Sequence, residues 1–76
     1  MRARHFRVKD PIPAVRDGRV TTLPRGLCKI VGRTTFRGWA AHRVRGSDGA
    51  TYLVMQSHWA EVRSLGCVVP LVAKEA

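Results

Sequence analysis

A chain of 76 residues makes one small domain, and its fourteen Lys and Arg against five Asp and Glu give a formal charge of +9. At this size only about 60% of the unfolded surface is buried, so the core is marginal, and the charge favours a polyanionic or acidic partner. No run approaches the roughly 18 apolar residues of a membrane span, and the basic start Met1 to Lys9 lacks the apolar segment of a secretion signal. The sequence therefore reads as a cytoplasmic protein without a membrane partner, in which Cys28 and Cys67 are reduced thiols rather than a disulfide.

Residues 1–5 hold two Arg and a His with little to bury and read as a mobile arm before a single domain over 6–76. Arg2, Arg4 and Arg7, in or beside that arm, are candidate contacts. Phe6-Arg7-Val8-Lys9 alternates apolar and basic side chains, as a half-buried strand does. Asp10-Pro11-Ile12-Pro13 ends it, and the prolines with Arg16-Asp17-Gly18-Arg19 predict an extended loop closing in a turn.

Val20 to Leu23 suits a strand edge, and Leu27-Cys28-Lys29-Ile30-Val31-Gly32 a strand with one face buried. Arg33 to Gly38 reads as an exposed connection or a strand extension. Trp39 to Gln56 predicts a β-hairpin, because strand-favouring residues flank Gly46-Ser47-Asp48-Gly49 and Asp-Gly supplies the positive φ angles of a tight reversal. A two- or four-residue loop puts Trp39, Ala41, Arg43, Arg45, Tyr52 and Val54 on one face. Ala40, His42, Val44, Thr51, Leu53 and Met55 then form the other, core-facing side.

Ser57 to Arg63 changes period, with Ser57 or Gln56 as cap and Gly66 as stop, and predicts a short helical turn over 57–63. Cys67 to Val72 is a last strand, placed at an edge or a strand junction by Pro70. Five or six short strands with one helical turn define an all-β class and a small barrel.

The order Leu-Pro-Arg-Gly-Leu-Cys-Lys-Ile-Val-Gly, then Trp-Ala-Ala-His-Arg-Val-Arg-Gly-Ser-Asp-Gly-Ala-Thr-Tyr-Leu-Val, then Trp-Ala-Glu-Val before a last strand resembles an SH3-like small β-barrel over residues 20–72. The resemblance is one of strand pattern and implies an architecture. It carries over no site residue. Such barrels serve as DNA- or RNA-binding modules, as protein-interaction modules and, in the plasmid-borne type II dihydrofolate reductases, as an oligomeric enzyme. The Val-Gln-Ile-Tyr segment of that last family has no counterpart here, Leu53-Val54-Met55-Gln56 being the nearest stretch in position.

No chemistry-bearing constellation stands out. Cys28, Cys67, His5, His42 and His58 lack metal-ligand spacing, the five acids are dispersed, and neither cysteine adjoins a histidine, so no cofactor, metal or catalytic residue is expected. His42, on the apolar face, reads as a half-buried histidine bonded to a carbonyl, and Trp59 as a plug at one end of the barrel.

What remains is Arg37, Trp39, Arg43, Arg45 and Tyr52, where guanidinium groups that grip phosphate meet rings that stack on bases. The favoured reading is a non-enzymatic DNA- or RNA-binding module. An accessory protein docking on an acidic protein surface comes second, with burial of the same face in a homodimer also open, and a small-barrel oligomeric enzyme third.

Overall fold

The computed structural model describes residues 4–71. The described chain is all-β with one short helix, in the order β1 (His5–Val8), β2 (Ile12–Arg16), β3 (Arg19–Leu23), β4 (Gly26–Phe36), β5 (Trp39–Arg45), β6 (Thr51–Met55), α1 (Gln56–Ser64) and β7 (Val68–Leu71). The strands form one antiparallel sheet of seven, ordered β3-β2-β6-β5-β4-β1-β7. No ladder joins β3 to β7 among the described residues, so the sheet is open rather than closed into the expected barrel.

The seventh strand is β2, which the prolines argue against. Ile12 and Ala14 alternate inward while Pro13 stays exposed, and the ladder from β2 to β6 is the single pair Val15 with Leu53. A residue without an N–H therefore costs that side of β2 no ladder bond. Asp17 and Gly18 link β2 to β3 with φ of 53° and 75°, and Arg37 and Gly38 link β4 to β5 with 51° and 82°. Two consecutive positive φ values define the two-residue turn whose twist matches paired strands. Arg33 to Phe36 is strand extension rather than loose connection.

The helix occupies its expected place, one residue longer at each end. Met55 stands at its N-cap position without a side-chain hydrogen bond, so neither Gln56 nor Ser57 caps it. Its far end closes with Gly66 N–H donating to the Arg63 carbonyl and Cys67 N–H to that of Val62, over Gly66 at φ 79°. That pair of bonds satisfies carbonyls the helix leaves open. β7 lies at a sheet edge, as Pro70 predicts.

Every element contributes to a single core. Phe6, Val8, Ile12, Leu23, Cys28, Val44, Tyr52, Val54, Trp59, Val62 and Val68 pack in one cluster. The Trp59 ring, 3% exposed, meets Phe6 edge-on at 5.0 Å and lies 6.0 Å from His42. Trp59 therefore ties α1 to β1 and β5 as a core residue, but with the sheet open there is no barrel end for it to plug.

The β5–β6 hairpin corrects the expected face assignment. Arg45 pairs with Thr51, so the loop is the five residues Gly46 to Ala50. An odd loop keeps the parity of β5 and inverts that of β6. His42 and Val44 thus share the inner face with Val54 and Tyr52, while Thr51, Leu53 and Met55 lie with Arg45, Arg43 and Ala41 on the outer one. The loop is held by Gly46 N–H to the Ala50 carbonyl at 2.9 Å, Ala50 N–H to Asp48 Oδ1 at 3.1 Å, and Tyr52 Oη to Asp48 Oδ2 at 2.5 Å. Gly46 is closely packed, since a Cβ there would stand 3.0 Å from Asp48 Oδ1, 3.1 Å from Tyr52 and 3.2 Å from Leu23.

The expected arm loses its last residues to the sheet. β1 begins at His5, and the Arg4 carbonyl accepts a bond from Ile30 N–H at 2.8 Å. Residues 1–3, with Arg2, and the expected end of the last strand at Val72 lie outside the described residues.

Candidate nucleic-acid interface

The strand registers place basic side chains in rows across the outer face. His5 of β1 pairs with Lys29 of β4, and Lys29 pairs with Arg45 of β5, all three exposed. Neighbouring strands lie about 4.8 Å apart, so the Lys29 and Arg45 backbones are one strand spacing from each other. One step along, Arg7 of β1 stands opposite Leu27 of β4, and Arg43 lies two residues from Arg45 on the same face. Arg7 points outward because Phe6 and Val8 take the inner positions of the alternation.

At the other end of β5, Trp39 pairs with Phe36 and is 71% exposed. The Arg37 guanidinium lies 5.2 Å from the Phe36 ring, within cation–π range. Trp39, Arg43 and Arg45 thus share one face of β5, and Arg37 lies in the turn that precedes it.

Tyr52 does not join them. It is 4% exposed on the inner face, its hydroxyl is engaged by Asp48, and Arg16 stands 5.8 Å from its ring. The hydrogen bond holds the Asp48 carboxyl below its usual range and the Tyr52 phenol above its own. The odd loop is what moves Tyr52 from a contact platform into the core. Of the arm candidates, Arg7 belongs to the outer face and Arg4 does not.

Sequence reasoning about the hairpin alone misses Lys29 and His5. The outward alternation of Lys29 between Cys28 and Ile30 carries the signal for the first, but its opposition to Arg45 depends on the β4–β5 register.

The described acids all lie off the strands: Asp10, Asp17 and Asp48 in connections and Glu61 on α1. Salt bridges among the described residues are Arg16 with Asp17 at 4.0 Å and His58 Nδ1 with Glu61 at 3.3 Å. Lys29 and Arg45, directly opposed and without a salt-bridge partner among the described residues, repel each other across the ladder. A polyanion laid across the face would turn that repulsion into attraction.

Among the described residues His42 lacks the carbonyl bond expected of it, its Nδ1 being buried without a partner. Burial, and secondarily the Arg33 charge, lowers its pKa from 6.5. Burial raises the Cys28 thiol to about 11, which keeps it protonated at neutral pH. No family model, curated protein or solved structure matches the chain.

Proposed function

We propose that this chain is a non-enzymatic nucleic-acid-binding module that holds a single strand of DNA or RNA across the outer face of β1, β4 and β5. The observation that carries the reading is the register-aligned opposition of Lys29 and Arg45, beside Arg7 and Arg43, on a sheet face without an acid. A polynucleotide presents one phosphate per residue along its backbone, which suits cations repeated at strand spacing. Trp39 and the Arg37–Phe36 pair add flat groups on which exposed bases can stack, a contact worth about 1–3 kcal/mol per base. Kinship with SH3-like nucleic-acid modules is part of the same proposal.

Fluorescence anisotropy with labelled oligonucleotides tests it. Binding should weaken steeply between about 50 and 200 mM salt, because each neutralised phosphate releases counterions. Absent or salt-insensitive binding to both DNA and RNA removes the reading.

A second reading, docking on an acidic protein surface, draws support from Leu27, 54% exposed, and Trp39 on the same face. Apolar side chains ringed by charge anchor protein partners. A partner retained from nuclease-treated lysate, with no measurable oligonucleotide affinity, would favour it.

A further inference from the structure

The opposite side of the β4–β5 hairpin carries a second cationic feature that the strand-binding reading does not use. An open pocket of about 570 Å³ lies where β1, β4, β5 and α1 meet, and three arginines line it: Arg4, Arg33 and Arg63. They come from β4, from α1 and from the residue preceding β1. Among the described residues no acid lines the pocket, and none of the three guanidinium groups makes a salt bridge.

A β-bulge is what brings Arg33 there. Ile30 pairs with Val44, but the next pair is Gly32 with Arg43, which leaves Val31 as an extra residue. Beyond the bulge the parity of β4 is inverted, so Arg33 stands opposite His42 on the inner face instead of joining the outer cations. Re-aiming a side chain in this way is a common use of bulges. Arg63 is held by its guanidinium 5.4 Å from the Phe6 ring, and Phe6, Ile30 and Trp59 form the apolar part of the lining.

The same pocket contains the orphaned polar atom of β5. His42 lines it, and its buried Nδ1 has no hydrogen-bond partner among the described residues. Leaving a buried polar group unpaired is unfavourable, and a ligand atom bonded to it would relieve that cost.

We propose that this pocket binds the phosphate of a small organic phosphate monoester, with Arg4, Arg33 and Arg63 holding the phosphate oxygens and His42 Nδ1 bonded to the ligand. Three guanidinium forks suit a dianion with three terminal oxygens better than a carboxylate with two. The volume falls in the range of small-molecule sites, about 300–1,000 Å³, so there is room for an organic group beyond the phosphate. A nucleotide satisfies both requirements, either as a free mononucleotide or as the 5′-phosphorylated end of a strand. The proposal is independent of the outer face, because its arginines point to the other side of the hairpin.

Calorimetric titration with 5′-AMP, with adenosine as the control, tests it on the full chain. The expected result is saturable binding of one 5′-AMP per chain, with adenosine at least about tenfold weaker, and a saturable shift of the His42 imidazole resonances. Arg33→Gln and Arg63→Gln, each checked for native circular dichroism, should each weaken 5′-AMP binding about tenfold. Arg45→Gln should leave it within about twofold while weakening oligonucleotide binding, so that failure of either site shows separately.

Failure of 5′-AMP to saturate, equal affinity for adenosine, or unchanged affinity in both pocket variants overturns the proposal. Where 5′-AMP does bind, tighter binding of 5′-phosphorylated than of 5′-hydroxyl oligonucleotides assigns the site to strand ends. Equal binding of the two oligonucleotides assigns it to a free phosphate ester.

Discussion

Placing a lysine at each of two adjacent positions on β6 separates the two faces of the hairpin sharply. Val54 is 1% exposed inside the core, whereas its neighbour Leu53 is half-buried on the outer face opposite Arg43. Val54→Lys forfeits about 1.5–3 kcal/mol of burial and forces an ammonium group into apolar surroundings at several kcal/mol more. At about 0.05–0.15 kcal/mol per residue, a 76-residue domain has only about 4–11 kcal/mol to lose. The variant should therefore be largely unfolded at 25 °C. Leu53→Lys gives up about 1 kcal/mol, part of it recovered by the lysine stem lying on the sheet, and should lower Tm by about 4–8 °C. Thermal melts followed by circular dichroism, with amide proton dispersion in NMR, read both outcomes. A folded Val54→Lys beside an unfolded Leu53→Lys would restore the even-loop parity and refute the inverted one.

Stability should also fall with acid through His42. Its folded-state pKa lies below 6.5, so as pH drops the unfolded chain takes the proton first and binds more protons than the native one. The contribution is complete above about pH 6.5 and is lost as pH falls from there through the lowered folded value; His42→Gln should flatten that part of the profile in urea titrations. Thiol labelling with a disulfide reagent at pH 8 should show a slow and a fast cysteine. Cys28 is buried with its pKa raised to about 11, while Cys67 is partly exposed, so equal rates would contradict the packing of β4.

The parts of the fold that rest on local chemistry were readable from the residues. Asp17-Gly18 turns the chain because its left-handed backbone favours those residue types, Gly66 ends α1, and Pro70 sits at an edge, all effects that act within a few residues. The misreadings come from parity and from pairing at a distance. A loop of five rather than four residues sends Tyr52 inward, and nothing in Gly46-Ser47-Asp48-Gly49 announces that Ala50 belongs to it. The bulge at Val31 likewise turns Arg33 away from the outer face, so the pocket beside His42 has no signature in spacing. β2 was hidden because its prolines argue against a strand wherever both sides are paired, and here one side carries a single pair. Of the expected contact set, Trp39, Arg43 and Arg45 share a face, since the alternation of β5 alone places them.

The salt dependence of single-strand affinity in the native chain and in Lys29→Gln/Arg45→Gln tests the central claim most directly. For single strands the slope of log affinity against log salt is about −0.7 for each phosphate neutralised. If each of the opposed cations holds one phosphate, the double variant should bind more weakly at low salt and show a slope shallower by about 1.4, with its melting temperature unchanged or raised by the relieved repulsion. A native chain that binds neither DNA nor RNA, or a double variant with the native slope, would contradict the assignment of the outer face of β1, β4 and β5 as the nucleic-acid interface.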